Sequence, residues 1–361
     1  MKKELLLIIT LLCMMAQGGM LTSCSKDDDQ PVNPTPKEYF TYWNQCTALT
    51  TLKEYVEDVT NPRSANFISV EDRIATFDMD GTFIGELYPT YFEYNLLEYR
   101  VLDDPAYKDR APDDVREAAQ NIRDFVRNGK ALPDHFDMIH ARAAAKAYAG
   151  MTLAEFDAYV KAYAATPANG FKGMTYAQSF YKPMLDIFDY LKDNGFTYYV
   201  VSGSDRYLCR SLVESLGIEP NKVIGMDVCI SSNEQGDNVG VDYTMGKDEY
   251  LIRTDSLIIK NLKMNKVRQI TQEIGKMPVL SFGNSSGDCA MHNYCMSNTK
   301  YRTATFMLVA DDDAHDHADL AEGARREAKW REAGYTIISM KNDFKTIYGY
   351  GVVKTDFTFP R

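Results

Sequence analysis

The period of the hydrophobic positions changes along the chain, and the changes divide it. From Ile74 to Phe77 apolar and β-branched residues follow one another without a polar break, the pattern of a strand buried on both faces. Before it, residues 39–59 carry aromatic and aliphatic positions that predict a helix packed on the domain from outside. From Gly85 to about Tyr176 a helical period takes over. Val115, Ala118, Ala119, Ile122, Phe125 and Val126 share one helical face that Gly129 stops. Thr152 with Glu155 forms a capping box opening a further helix that Thr166-Pro167 ends.

From Tyr181 onward short apolar strands alternate with helices. Helices are predicted from Pro183 to Gly195, through Leu208, Leu212, Val213 and Leu216 to Gly217, and from Asn265 to Ile274. Strands are predicted at Phe196 to Val201, Lys222 to Met226, Pro278 to Phe282, Thr303 to Ala310 and Tyr335 to Met340, with a charged helix before the last. Residues 227–258, with Gly236, Asn238 and Gly240, read as a hairpin excursion. This alternation predicts an α/β protein with a doubly wound, Rossmann-like and mostly parallel sheet carrying an inserted α-helical cap. The core is expected in residues 39–84 and 180–361 and the cap in residues 85–179.

The first 23 residues have a different character. Lys2 and Lys3 precede an apolar run from Leu5 to Met15, and Leu21-Thr22-Ser23 leads to Cys24, a secretory signal pattern. Gln17, Gly18 and Gly19 break the run short of a membrane span. Leu-Thr-Ser-Cys resembles a bacterial lipobox, which implies cleavage before Cys24 and a diacylglycerol on its thiol. Ser25-Lys26-Asp27-Asp28-Asp29 resembles an acidic tether for surface export, and Gln30 to Pro36 completes an extended linker over residues 24–38. The expectation is an exported protein, lipid-anchored on the periplasmic or cell-surface side of a bacterial membrane and attached there by the anchor alone.

Composition narrows the function classes. A chain of 361 residues, 45% hydrophobic and 25% charged, has material for one large domain or two smaller ones. Its formal charge of −11 argues against a nucleic-acid groove, so an anionic substrate needs a local cation. Cys46, Cys209, Cys229, Cys289 and Cys295 show no C-x-x-C pair, and neither a disulfide framework nor a zinc knuckle is indicated. No protein partner is indicated either.

Chemistry concentrates where the predicted strands end. Asp78-Met79-Asp80-Gly81-Thr82 places two carboxylates at i and i+2 on a Gly-Thr turn, a pattern expected by chance in about two chains per thousand of this length. Ser202-Gly203-Ser204 ends a second strand, and Gly283-Asn284-Ser285-Ser286-Gly287-Asp288 ends a third. Ligands of open parallel sheets bind outside the carboxyl ends of strands, which allows these groups one crevice. Taken singly, Ser202 and Asn284 read as ordinary turn residues. Lys260, Lys263 and Lys266 are alternative cations, and Lys266 fits best because its helix leads into the Gly283 strand.

Phe-Asp-Met-Asp-Gly-Thr, Val-Ser-Gly-Ser, the lysine of Asn-Lys-Val-Arg-Gln-Ile and Phe-Gly-Asn-Ser-Ser-Gly-Asp together resemble the four motifs of the haloacid dehalogenase superfamily, over roughly residues 70 to 345. The phosphoserine-phosphatase-like branch, with a helical cap after the first motif, is the nearest in pattern. The resemblance implies a Mg²⁺-dependent hydrolase acting on a small phosphorylated metabolite. Asp78 is then the nucleophile and Asp80 the general acid and base, with Ser202 and Gly203 on the phosphate oxygens and Lys266 as the cation. Asp78, Asp80, Asn284 and Asp288 make up the implied metal site. Asn284 stands where a second acid is commoner, which predicts weaker Mg²⁺ binding than a two-acid motif gives.

Other readings compete. A dehalogenase needs no acid at i+2, so Asp80 argues against one. A surface lipoprotein that only binds a small ligand has no need to keep both the nucleophile and the lysine. Asp311-Asp312-Asp313 with His315 and His317 reads as a solvated acidic loop before a second metal site. Tyr88, Tyr91, Tyr94 and Tyr99 read as cap core before an aromatic wall for a cationic head group. Glu86 reads as an exposed loop acid before one aimed into the cleft.

Overall fold

Ile74–Phe77 forms strand β1, and all four of its side chains are buried. Helices and neighbouring strands cover both of its faces, which is why an alternating polar position is absent. The structure, a computed structural model, describes residues 37–359, so the signal segment, Cys24 and nearly all of the linker lie outside the described residues.

The strands that follow are β2 (Phe171–Lys172), β3 (Thr197–Asp205), β4 (Val223–Ser232), β5 (Leu251–Ile259), β6 (Leu280–Gly283), β7 (Ala304–Val309), β8 (Thr336–Ser339) and β9 (Val353–Lys354). Seven of them make one sheet in the order β5-β4-β3-β1-β6-β7-β8. Six run parallel and β5 is antiparallel at the edge. β1 is central, with Ile74 opposite Thr197 of β3 and Ala75 opposite Leu280 of β6. Chain order and spatial order reverse at β1, so the carboxyl ends of β1, β3 and β6 open on the crevice that a switch point creates. The 227–258 excursion is the β4–β5 hairpin, and it extends the main sheet by its edge strand.

Helix α1 (Thr47–Thr60) precedes β1. Helices α2 (Phe92–Leu102), α3 (Asp113–Asn128), α4 (Phe136–Ala147) and α5 (Leu153–Ala164) lie between β1 and β2 and form the inserted helical set. Gly129 ends α3 in the left-handed conformation, and Thr152 and Glu155 close the capping box of α5. Helices α6 (Lys182–Asp193), α7 (Arg206–Val213), α8 (Met264–Glu273), α9 (Cys289–Met296), α10 (Leu320–Glu332) and the short α11 (Met340–Asp343) connect the remaining strands. None of the described helices is long and apolar enough to cross a membrane.

The inserted helices are tied to the core at three places. The chain leaves and returns side by side, with Gly85 N donating to Ser179 O and Tyr181 N to Phe83 O. On the β5 side, Gly150 N donates to Arg253 O and Arg253 N to Met151 O, while the Arg253 guanidinium lies 3.9 Å from the centroid of Phe156. On the other side β9 pairs antiparallel with β2, and Thr355 N donates to Gly170 O. Neither β2 nor β9 is expected from the sequence pattern, since two-residue strands carry no periodicity to read.

The loop after β7 differs from a solvated acidic turn, because Asp312 and Asp316 are buried. Asp312 accepts hydrogen bonds from Ala314 N, His315 N and His315 Nδ1, and His317 Nε2 donates to Gly170 O. These acids and imidazoles are spent on local structure. Burial pushes the Asp316 carboxyl up to about 7, against hydrogen bonds from His317 N and Tyr348 Oη. Between about pH 4 and about pH 7 the folded chain therefore holds a proton that the unfolded chain has released, and this group's contribution to stability falls as pH rises through that window. Asp316→Asn, which keeps an acceptor for His317 N, is expected to raise the thermal midpoint at about pH 8 and to lose that advantage near pH 4. Thermal melts at both pH values check this, and an equal effect at the two contradicts it.

Candidate active site

Asp78 follows β1 directly, and its amide donates to Phe282 O at 2.9 Å, extending the ladder to β6 by one residue. The chain then turns sharply, with Gly81 N donating to Ile84 O at 2.7 Å and Thr82 N to Met79 O at 3.1 Å. Gly81 has φ +74°, and a Cβ on it would lie 2.0 Å from Asn284 Nδ2 and 2.4 Å from Glu86 Cδ. Only glycine fits both the conformation and the space. The turn thus presses the first acidic motif against the loop after β6.

Lys266, in the first turn of α8, is buried and spans two carboxylates: Nζ lies 2.5 Å from Asp78 Oδ1 and 2.6 Å from Asp288 Oδ1. Its helix is aimed by the loop before it. Asn261 Nδ2 donates to Ser202 O at 2.9 Å, and Lys263 N donates to Gly287 O at 3.0 Å from a backbone with φ +53°. Asp288 Oδ2 accepts from Asn284 N, Ser285 N and Ser285 Oγ at 2.9–3.1 Å. Of the three competing lysines, Lys263 is exposed and Lys260 pairs with Glu93 at 3.4 Å.

The environment separates the carboxyls. Burial, reinforced by the neighbouring Asp288 charge, raises Asp78 above the ordinary carboxylate range even with Lys266 in contact. Asp288 is also opposed by burial, but Lys266 and the backbone amides of its loop more than offset this and hold it below that range. Lys266 is raised because the two carboxylates outweigh its own burial. Burial pushes Asp80 up to about 6, against the hydrogen bond that Ser204 Oγ donates to its Oδ2 at 2.7 Å. Its other oxygen, Oδ1, is buried without a hydrogen-bond partner. Glu86 is pushed up to about 8 by burial and by the nearby Asp80 and Asp78.

Asp78, Asp80, Gly203, Ser204, Lys266 and Asp288 line one cavity of about 160 Å³, closed on the helical side by Glu86, Tyr91, Glu93 and Tyr94. Asn284 lines it too, with Oδ1 3.2 Å from Thr82 Oγ1 and Nδ2 donating to Glu86 Oε1 at 3.0 Å. An amide there supplies a donor that a second acid lacks. Ser202 is the exception among the expected site residues, for it is fully buried and Ser204 stands at the cavity in its place. The β3–β4 register shifts between Val201 and Asp205, and Ser202 Oγ accepts from Ser204 N at 3.0 Å. The Ser202 hydroxyl oxygen thus accepts within its own turn. Tyr88 and Tyr99 lie away from the cavity, and Glu86 is half-buried on its wall rather than an exposed loop acid.

Sequence reasoning missed Glu93 and gave Ser204 no role of its own, while Lys260, weighed there as an alternative cation, lines the cavity as the partner of Glu93. Glu93 lies on α2, and its Oε1 accepts from Asp205 N at 3.1 Å, which joins the helical insertion to the end of β3. No local pattern marks such a contact, since it depends on how two distant elements dock.

The donor set suits a hard cation in kind. Two carboxylates, Asp78 and Asp288, meet the Asn284 amide oxygen and the turn after β1, and all are oxygen donors. Among the described residues, no group of three or more His, Cys, Asp and Glu side chains is arranged to hold a metal. Any ion here therefore depends on amide, carbonyl and water oxygens as well as the two acids.

The fold and this crevice together define a doubly wound α/β protein with a carboxylate–lysine–carboxylate centre at its switch point. No family model matches the chain, and neither does any curated protein. Among solved structures it is similar to a conserved protein of unknown function from Anaerococcus prevotii DSM 20548, with TM-score 0.51, 14% identity, and coverage of 90% of this chain and 100% of that one. It is also similar to a protein of unknown function from Bordetella pertussis Tohama I, with TM-score 0.45, 14% identity, and coverage of 74% and 97%. A third is cytosolic 5'-nucleotidase IIIB bound to cytidine, with TM-score 0.45, 13% identity, and coverage of 76% and 82%. The likeness to the Anaerococcus protein is one of fold.

Removing the cation from between two buried acids leaves them facing each other. Lys266→Met, without added divalent metal, is expected to cost about 3–5 kcal/mol of stability near pH 8. The cost shrinks near pH 5, because protonation of Asp78 relieves the repulsion. Urea titrations at the two pH values check this, and a loss independent of pH contradicts it.

Proposed function

We propose that this protein is a Mg²⁺-dependent phosphomonoesterase of the haloacid dehalogenase type, acting on a small phosphorylated metabolite through an aspartyl-phosphate. The observation that carries the reading is the convergence of Asp78, clamped by Lys266, with Asp80, whose Oδ1 is buried and unpartnered in the same cavity. A structural salt bridge needs no second acid poised two residues on.

In this reading Lys266 holds Asp78 Oδ1 and leaves Oδ2, with only a long 3.4 Å contact from Thr82, to face the phosphoryl group. An Asp78 oxygen bonds to phosphorus as the ester oxygen departs, and Asp80, in its acid form, gives that oxygen its proton. Asp80, now a carboxylate, takes a proton from water as the water oxygen attacks phosphorus. The Asp78–phosphorus bond breaks, and inorganic phosphate and free Asp78 result. Ser204 keeps Asp80 oriented through the bond to Oδ2, and the Gly203 backbone and Lys266 line the space for the phosphoryl oxygens. Asp78, Asp288, Asn284 and the Asp80 backbone would hold Mg²⁺, which when bound neutralises charge between a carboxylate nucleophile and a phosphate dianion. The helical insertion covers the cavity with Tyr91 and Tyr94 and limits the water that reaches it. The signal pattern and Cys24 support an exported, lipid-anchored location for this activity.

Steady-state hydrolysis of an aryl phosphate with Mg²⁺ tests the proposal. Activity is expected in the native chain, to vanish on chelation and in Asp78→Asn, and to fall by about 10²–10⁴ in Asp80→Asn. Absence of turnover over a broad panel of phosphate esters, together with tight binding of an unmodified metabolite, would favour a binding protein instead.

A further inference from the structure

Beyond Asn284 and Glu86 lies a second cavity of about 280 Å³, larger than the one at Asp78. The two share a border formed by Glu86, Tyr91, Tyr94 and Asn284. The 160 Å³ cavity is walled mostly by carboxylates, lysines and hydroxyls, so an apolar body attached to the phosphoryl group is better placed across that border.

The walls of the larger cavity are mostly apolar. The helical insertion contributes Tyr91, Tyr94, Phe125 and Leu132, and the core contributes Leu308 from β7 and Trp330 from α10. Tyr91 and Phe125 are each 39% exposed, a high value for aromatic rings that line a cleft. Covering them gains hydrophobic free energy that the chain alone leaves unused. The acids around the cleft already have partners: Glu86 accepts from Asn284 Nδ2, Glu322 pairs with Arg326, and Asp319 caps α10 through Glu322 N. Arg326 is itself paired through Nε with Glu322, so the charges on this wall are largely matched within it.

We infer that the cleft between α10 and the helical insertion holds the leaving group, and that the substrate is a phosphomonoester of an alcohol with an uncharged, apolar ring body. This rests on the phosphomonoesterase reading of the adjoining site. An apolar cavity of about 150 Å³ accepts a benzene, so this one accepts a body of about two rings.

Two alkyl esters of similar leaving-group acidity, 2-(1-naphthyl)ethyl phosphate and ethyl phosphate, separate the cleft from the chemistry. With Mg²⁺ present, kcat/KM for the naphthylethyl ester is expected to exceed that for ethyl phosphate by at least about tenfold. Leu132→Phe, which fills the cleft, and Phe125→Ser, which removes a half-exposed wall, are expected to lower that ratio, with most of the loss on the naphthylethyl ester. Equal kcat/KM for the two esters, a preference for choline phosphate, or an equal loss on both esters in the variants overturns the inference. Binding of 2-(1-naphthyl)ethanol, followed by the fluorescence of Trp330 against a Trp330→Phe control, gives a readout without chemistry. Binding with no turnover of any ester overturns the phosphatase reading alone and supports the cleft; no binding overturns the cleft.

Discussion

One buried ammonium organises this molecule. Lys266 Nζ touches Asp78 and Asp288 in a place where neither carboxylate has bulk water to solvate it. Charges so placed are costly unless geometry and hydrogen bonding are good, and the surrounding backbone provides both. The amide of Asp78 is fixed on Phe282, the loop amides of Asn284 and Ser285 hold Asp288, and Asn261 anchors the approach to α8 on the end of β3. The central position of β1 follows the same logic, for only a strand flanked by β3 and β6 delivers its terminal acid to both neighbouring loops.

The helical insertion adds a second set of buried charges to this centre. Glu93 reaches from α2 to the amide of Asp205 and to Lys260, and Arg253 joins Asp205 at 2.6 Å while stacking on Phe156. These contacts make the docking of the insertion depend on polar groups at the rim of the site rather than on apolar packing alone. Glu86 and Asn284 do the same between the two cavities, where an amide in place of an acid lets a half-buried carboxyl keep a donor. The acidity of the crevice is managed by distributing protons and partners among its members, with Asp288 favoured as the charged one.

Much of the fold was legible because its signals are local. The uninterrupted apolar run of β1, the stop at Gly129, and the Thr152–Glu155 box each fix an element by a few neighbouring residues. The acids at i and i+2, Lys266 and Asp288 were legible as candidates from their strand-end and helix-start positions, and the structure brings them together in one crevice. Ser202 and Ser204 show where such reading stops. Their types are identical, and only a register shift in the β3–β4 pairing decides which hydroxyl faces Asp80. The β2–β9 pair, the burial of Asp316 and the Glu93 contact escape for the same reason, since each arises from tertiary approach with no periodic trace.

In the proposed reaction Asp78 receives the phosphoryl group. Acid quenching of the Mg²⁺-loaded protein during turnover of a phosphate monoester, followed by mass spectrometry of its peptides, tests this directly. A phosphoryl adduct on the peptide from β1, localised to Asp78 and lost in Asp78→Asn, is the predicted result. Sustained turnover with an adduct on another residue, or with none in either the native chain or the slow Asp80→Asn variant, would contradict it.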